Sequence, residues 1–243
     1  MDHPNVVSVR DILVINGSPG LIMEYVDGPS LEDLLQQYQP SMADAELIAE
    51  GIIQGVAAAH ELGLIHRDLK PANILLKLSG GVIIPKVADF GLVKILSDDE
   101  SAGKGRTRTG IAMGTPSYMA PEQVRDAKTA DRRADIFSLG AILFELFCHQ
   151  RAFDGEDLAD ILTAVKLGEY PAPRTLVPNL PTRIVKAIEH SLEVDRRKRI
   201  GSCPALLATL RGESEKPTGG KATGWSPGLI EHASSLGSEG KPA

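Results

Sequence analysis

The sequence predicts an α+β protein with a mainly helical body, and the order of its apolar patterns supports this fold class. Two segments rich in Val and Ile, residues 6–15 and 20–26, flank a turn sequence of Asn, Gly, Ser and Pro and predict a β-hairpin. From Ala45 to Val56, apolar residues recur at the three- and four-residue spacing of a helix. A few strands followed by a run of helices are typical of the α+β class.

The first helices have recognisable ends. Ser30 can cap a short helix running through Tyr38, because a hydroxyl at that position can accept a backbone N–H of the first turn. The longer second helix is expected to stop at Gly63.

The next elements alternate strand and loop signals. Short strands are predicted at 74–77 and 82–88, on either side of a Gly-Gly turn. Residues 92–120 show no sustained periodicity and are expected to form a long loop. From Asp131 onward the pattern is helical, with breaks at Gly and Pro residues.

Composition excludes several classes of protein. The chain has 243 residues and a net charge of −6, which argues against a nucleic-acid binder. Its two cysteines cannot form a disulfide framework, and we expect both to be buried as small apolar groups in a reducing compartment. With no signal peptide and no apolar run of membrane-spanning length, a cytoplasmic location is expected.

The last segment, residues 212–243, has a different composition. Gly, Ser and Pro fill 15 of its 32 positions, and few apolar residues remain to build a core. We therefore expect a disordered tail. Trp225 could act as a binding anchor, but in these surroundings we expect it to be solvated or weakly docked.

Residues 66–73, with the sequence His-Arg-Asp-Leu-Lys-Pro-Ala-Asn, carry the strongest functional signal. Asp68 can accept the proton of an attacking hydroxyl, Lys70 can neutralise a moving phosphoryl group, and Asn73 can hold a magnesium ion. Phosphoryl transfer needs these groups. The segment resembles the catalytic loop of the eukaryotic-type protein kinases.

Three further segments are similar to motifs of the same family. Asp89-Phe90-Gly91 follows a strand-like run 21 residues after Asp68, and the resemblance implies that Asp89 and Asn73 are magnesium ligands. Residues 114–122 resemble the platform beside the peptide substrate. There Thr115 corresponds to the threonine that hydrogen-bonds the catalytic Asp and Lys in Ser/Thr kinases.

The resemblance also implies structural roles. His66 is expected to stack beneath the loop, and Phe90 to have a structural role. Residues 131–140 are similar to the start of a kinase helix in which the counterpart of Asp135 accepts hydrogen bonds from the catalytic-loop backbone. Glu122 is expected to pair with Arg199, and breaking such a pair when buried costs roughly 3–5 kcal/mol.

The first hairpin resembles the strands that lead into the kinase hinge. Met23 would be the gatekeeper behind the adenine of ATP, and the backbone of Glu24 and Val26 would hydrogen-bond the purine. Leu75 is also assigned to nucleotide binding, with Lys70, Asn73 and Asp89.

A regulatory role is expected for Arg67, whose family counterpart pairs with a phosphate on the activation loop. Thr107 and Thr109 are the candidate phosphorylation sites, because a phosphate there could pair with Arg67 and order the loop. An unmodified, solvated loop is the alternative at this stage.

The resemblance covers roughly residues 3–211 and implies a protein Ser/Thr kinase of bacterial type, with ATP, Mg²⁺ and protein substrates. We assign residues 1–26 to a remnant of the kinase N-lobe and hinge, 27–211 to the C-lobe, and 212–243 to the tail. The sequence upstream of Asp68 contains no G-x-G-x-x-G run and no strand Lys of the kinase type.

Two explanations for this gap remain open: a fragment of a longer kinase, which we favour, or a shortened, non-catalytic relative that acts as a pseudokinase scaffold. In either case we expect the 243 residues alone to have little kinase activity. The protein substrate, the activating signal and the oligomeric state are left open.

Overall fold

The structure is a computed structural model, and it describes residues 1–15, 18–90, 116–126, 130–213 and 224–239. The predicted first hairpin is present: β1 (Val9–Ile15) pairs antiparallel with β2 (Ser18–Met23), with Ile12 opposite Leu21. Several of its apolar side chains are exposed, and Val14 reaches 75%. The hairpin therefore adds little to the core.

The second hairpin is also present and is held at both edges. β3 (Ile74–Ser79) and β4 (Val82–Val87) are joined at Gly80 and Gly81, whose φ angles of 58° and 77° suit a residue without a Cβ. The N-H of Val7 donates to the Val87 carbonyl over 2.9 Å, so the segment before β1 runs alongside β4.

The other edge of this hairpin receives the segment after β2. Leu78 N–H donates to the Asp27 carbonyl over 3.1 Å, and Leu76 N–H donates to the Pro29 carbonyl over 2.9 Å. Between these two bonds lies Gly28, where a Cβ would lie 1.8 Å from the Leu76 carbonyl oxygen. Only glycine therefore permits this close approach of two backbones.

Helix α1 (Leu31–Gln37) begins at the predicted cap. Asp33 N–H donates to Ser30 Oγ and Ser30 N–H donates to the Asp33 carboxylate, both over 3.1 Å, which completes a capping box. The long α2 (Met42–Glu61) follows and buries the apolar face predicted from its periodicity, including Ile48 and Ile52.

The helical body surrounds one central helix. Of the 17 residues of α4 (Arg132–Cys148), nearly all are buried, including Phe137 and Phe144, and α4 packs against α2. The remaining helices of this body are α3 (Pro121–Arg125), α5 (Leu158–Leu167), α6 (Pro173–Leu176), α7 (Thr182–Ser191) and α8 (Cys203–Arg211). Helix α7 packs on α4, and α8 packs on α2 and α7.

The prediction of a disordered tail is wrong for residues 224–239. A helix, α9 (Pro227–Glu239), packs on α1 and β3 and buries Leu229 and Ala233 completely. Trp225 is partly buried against the same core. The overall composition of the tail obscured a short apolar stripe, which is sufficient for docking because the rest of the protein supplies its partner.

Most of the long loop predicted over residues 92–120 lies outside the described residues, which resume at residue 116. Its described end forms a 3₁₀ turn at Pro116–Tyr118. Among the helices that the structure describes, none has the length and apolarity needed to cross a membrane. The boundary between the N-lobe remnant and the C-lobe, placed between residues 26 and 27, stays a prediction. The expected cytoplasmic location also stays a prediction.

Replacing Gly28 by Ala should destabilise the protein by roughly 1–3 kcal/mol, because the added methyl group meets the Leu76 carbonyl and the backbone must move. Urea unfolding followed by circular dichroism measures the change. Gly201→Ala is the matched control, since a Cβ there meets nothing closer than 4.0 Å. Equal stability of the two variants would contradict the close approach of the Gly28 and Leu76 backbones.

Candidate active site

His66 connects the segment 66–73 to the end of β4. One ring nitrogen, Nε2, lies 2.7 Å from the Ala88 carbonyl, and the other, Nδ1, accepts the Asp68 N–H over 3.3 Å. These contacts fit the tautomer with its hydrogen on Nε2, which donates to Ala88. The ring also packs against Phe90, at 4.9 Å between centroids. The two side chains therefore lie together, between the segment 66–73 and the residues that follow β4.

Asp68, Lys70 and Asn73 lie together. Lys70 Nζ is 3.4 Å from the Asp68 carboxylate, and the Asn73 side-chain amide donates to the Asp68 carbonyl over 2.8 Å. The Asp68 side chain is 39% exposed, so a substrate can reach its carboxylate. Because Asn73 uses its NH₂ group for the loop, its amide oxygen is available as a ligand.

Asp89 lies two residues beyond the end of β4, next to Ala88, which contacts this loop. The Ala88 N–H donates to the Asn73 carbonyl over 2.8 Å, while the Ala88 carbonyl accepts from His66. Both backbone groups of Ala88 are therefore fixed by the loop. Asp89 has a φ of 56°, an uncommon value for a residue with a side chain, and its side chain is exposed.

The loop is held from beneath by the buried Asp135. Its carboxylate accepts the N–H groups of His66 and Arg67, each over 2.9 Å, and contacts His60 Nε2 at 2.7 Å. Arg67 adopts a φ of 65°, an uncommon value for a residue with a side chain. The contact with the loop backbone agrees with the role expected of Asp135.

His60 was missed by the sequence analysis, and its position in the last turn of α2 offers no distinctive signal. Its Nδ1 lies 3.6 Å from Cys203 Sγ, so a chain of contacts runs from α8 through His60 to Asp135. Burial, together with the nearby charge of Asp135, raises the pKa of the Cys203 thiol to about 12. This cysteine is a packing group, as predicted.

The expected pair of Glu122 and Arg199 is present and bidentate, at 2.7 and 3.0 Å. The Arg199 side chain is fully buried, donates also to the Arg133 and Glu193 carbonyls, and lies 5.0 Å from the ring centroid of Phe137. The guanidinium N–H groups thus have acceptors and its face lies near an aromatic ring, and these contacts offset the cost of burying the charge.

Behind the predicted hinge lies an ion-pair cluster that the sequence analysis missed. The Glu24 carboxylate pairs with Lys86 at 3.0 Å and Lys77 at 3.1 Å, and accepts the Ser8 N–H over 3.2 Å. Burial opposes the charge, but the hydrogen bonds from Lys86 and Lys77 outweigh it and lower the pKa of the Glu24 carboxyl to about 2. Contacts across three separate elements leave no local sequence pattern.

The other predicted nucleotide-binding residues divide into two groups. Val26, Ala88 and Val7 form a small buried cluster, and Leu75 packs against it. Met23, at the end of β2, is 42% exposed and is not part of this cluster.

The predicted regulatory residues are only partly described. Thr107, Thr109 and Thr115 lie outside the described residues. The Arg67 side chain is exposed, and its carbonyl accepts from the Gln123 side chain over 2.8 Å.

Comparison with known proteins identifies the fold and the family. A family model described as the protein kinase domain matches residues 1–209. The chain belongs to the protein kinase domain family. Its fold is confirmed by the structure of Rad53 1-466 in complex with AMP-PNP, which superposes with a TM-score of 0.69 at 24% identity. That match covers 86% of this chain and 52% of the Rad53 chain.

Several bacterial proteins named as serine/threonine-protein kinases are similar to this kinase domain. PkaA of Streptomyces coelicolor is 34% identical over 77% of the chain, and the probable kinase PknB of Lactococcus lactis is 36% identical over 86%. PrkC of Bacillus subtilis is 34% identical over 87%. The chain spans about a third of the length of these relatives, 34%, 32% and 31% respectively.

Truncating Arg199 to Ala should lower the free energy of unfolding by roughly 3–5 kcal/mol, because the largely buried Glu122 carboxylate then loses its partner. A double-mutant cycle with Glu122→Gln, read by urea unfolding, separates the pair from the other Arg199 contacts. Strict additivity of the two changes would contradict coupling between the side chains.

The Glu24 cluster should make stability depend on acid pH. The folded-state pKa, about 2, is below the ordinary value of 4.5, so the contribution is complete above pH 4.5 and disappears as the pH falls towards 2. At neutral pH, Glu24→Gln should cost about 1–2 kcal/mol, less than the full pKa shift implies because solvent screens the pairs, and the gap to the unmodified chain should close on acidification.

Urea unfolding at a series of pH values measures this gap. Glu156→Gln, at an exposed carboxylate, is the control and should show no comparable gap. A gap for Glu24→Gln that stays constant between neutral pH and pH 3 would show that the carboxylate is not stabilised by the two lysines.

Proposed function

We propose that this kinase domain carries the phosphoryl-transfer centre of a protein serine/threonine kinase, which moves the γ-phosphoryl group of ATP to Ser or Thr hydroxyls of proteins. The observation that supports this most directly is the arrangement around Asp68. The accessible Asp68 carboxylate has an ammonium group 3.4 Å away, and the Asn73 side-chain amide donates to the Asp68 backbone carbonyl.

The arrangement can move a proton and balance charge. Asp68 can accept the proton of a substrate hydroxyl as that oxygen attacks, a role for which a positioned base contributes about 10²–10⁴ in rate. Lys70 can place its positive charge on the phosphoryl oxygens during transfer. The strained Arg67 and the buried Asp135 beneath it keep the Asp68 backbone in one position, so the base does not need to be reoriented at each turnover.

The residues fit the Mg²⁺ ion that the family implies. The amide oxygen of Asn73 is available, and no described residue hydrogen-bonds or pairs with the Asp89 carboxylate. Hard oxygen donors of this kind suit magnesium, which would neutralise phosphate charge when bound. Ala88, fixed on both sides by the loop, would keep the two ligands in register.

The nucleotide base would lie against the cluster of Val26, Ala88 and Leu75. The backbone N–H of Glu24 already donates to the Ser8 carbonyl over 2.8 Å. The group of Glu24 that would contact the purine is therefore its backbone carbonyl, which would accept a hydrogen bond. The ion pairs of the Glu24 side chain would hold that carbonyl in place.

Serine and threonine are the preferred acceptors on two grounds. Lys70 and Thr115 match the Ser/Thr pattern of the family, and the similar bacterial proteins are named as serine/threonine kinases. A pairing of Arg67 with a phosphate on Thr107 or Thr109 remains part of the proposal. A non-catalytic binding module is not favoured, because such a module has no need for the Asp68, Asn73 and Asp89 arrangement.

Two substitutions separate binding from chemistry. In a thermal-shift titration of this chain with Mg-ATP, Asp68→Asn should keep the stabilisation by nucleotide, while Asp89→Asn should lose the part that depends on Mg²⁺. In any form of the protein that turns over, Asp68→Asn should lower kcat about 10²–10⁴-fold, measured as phosphate transfer to a protein substrate.

Asp154→Asn, at an exposed carboxylate outside the site, is the control and should behave like the unmodified chain. Undiminished turnover by Asp68→Asn, or an unaltered Mg²⁺ response of Asp89→Asn, would count against the roles given to these residues.

A further inference from the structure

Helix α9 lies beyond the residues that match the kinase family model, yet it is docked on the kinase domain. Its own residues Leu229 and Ala233 are fully buried against the domain, and the ring of its His232 stacks on Tyr38 at 5.2 Å between centroids. Its contacts are with α1 and β3. The helix is therefore an added element with a built interface.

The far end of α9 reaches the hinge. A Cβ placed on Gly237 would lie 3.4 Å from the Cα of Gly28 and 3.9 Å from a methyl carbon of Leu78. Gly28 lies two residues after Val26, the last residue of the predicted hinge. Docking of α9 thus supports the backbone at the edge of the proposed nucleotide site.

The near end of α9 is held by a buried acid. Asp44, on the first turn of α2, has no exposed surface, and its carboxylate accepts the N–H of Ser226 over 2.9 Å and the Ser226 hydroxyl as well. A third hydrogen bond comes from the Ser41 hydroxyl over 2.7 Å. Among the described residues, no Lys, Arg or His forms an ion pair with Asp44. The Ser226 contact therefore depends on the serine supplying two donors.

We propose that Ser226 is a release point for α9: a phosphoryl group on its hydroxyl undocks the helix from α1 and β3. Ser226 Oγ would form a bond to the γ-phosphorus of a nucleoside triphosphate, the bond from that phosphorus to the β–γ bridging oxygen would break, and the nucleoside diphosphate would leave with that oxygen. The hydroxyl proton passes to a base of the modifying kinase. The proposal does not require this chain to be that kinase.

The physical reason is that phosphorylation turns the attractive contact between Ser226 and Asp44 into a repulsive one. An unmodified Ser226 donates its O–H to Asp44, whereas phosphoserine has lost that hydrogen and carries about −1.5 to −2 charge at neutral pH. The buried carboxylate would then face a second anion with no described cation beside it. The same phosphate at the start of α9 favours the helical conformation itself, so we expect the helix to separate as a unit.

The test uses the 243-residue chain with phosphoserine incorporated genetically at position 226. Trp225, the one tryptophan of the sequence, is next to the modified residue and reports docking through its emission. We expect its emission to shift to the red and amide hydrogen exchange across α9 to accelerate at least about tenfold. One unpaired buried charge costs more than a tenfold step in equilibrium.

Phosphoserine at Ser234 is the matched control. Ser234 is an exposed residue of the same helix, and its hydroxyl donates to the Ile230 carbonyl. The added charge is the same, but it does not face Asp44, so emission and exchange should stay those of the unmodified chain.

A rescue variant excludes a general loss of folding. Asp44→Asn combined with phosphoserine at 226 removes one of the two like charges and should restore slow exchange in α9. A broad-specificity phosphatase should likewise restore the emission of Trp225. Docking that persists with phosphoserine at 226, or undocking that Asp44→Asn does not reverse, would overturn the proposal.

Discussion

The carboxylate of Asp135 is fully buried and accepts hydrogen bonds from two consecutive backbone N–H groups, those of His66 and Arg67. The turn that presents these two neighbouring N–H groups to one carboxylate includes Arg67 at a φ of 65°. Backbone strain of this kind persists only where the surroundings over-determine it. Here the over-determination comes from α4, the helix at the centre of the core, so the position of Asp68 depends on the packing of the whole helical body.

The β3–β4 hairpin is the second organising element. It receives the segment before β1 on one edge and the hinge segment on the other, so both approaches to the proposed nucleotide site are fixed to the same small sheet. The Glu24 cluster adds a charged contact between the hinge and both strands of this hairpin. An otherwise exposed first hairpin is thereby attached to a firm support.

Much of this arrangement could be predicted from local patterns. The cap at Ser30, the turn at Gly80 and Gly81, and the segment 66–73 are each specified by a few adjacent residues, and the pair of Glu122 and Arg199 followed from the family resemblance. Side-chain contacts that cross several elements could not be predicted, because they depend on tertiary distances. The contacts of Glu24 and the contact of His60 with Asp135 are of this kind.

Helix α9 is a different case, since its signal was present. Leu229, Ile230, Ala233 and Leu236 are spaced as one face of a helix, and Ser226 and Pro227 are a typical start. A composition summed over 32 residues outweighed this short pattern. In a segment with few apolar residues, their spacing is more informative than their number.

The two cysteines have a practical consequence for work on this protein. Burial raises the pKa of Cys148 to about 11 and that of Cys203, with the charge of Asp135, to about 12, and the thiolate is the form that reacts with alkylating reagents. Both native thiols should therefore remain silent towards such reagents while the fold is intact. Fluorophores or spin labels can be attached to cysteines introduced on the surface, without first replacing the two natural ones.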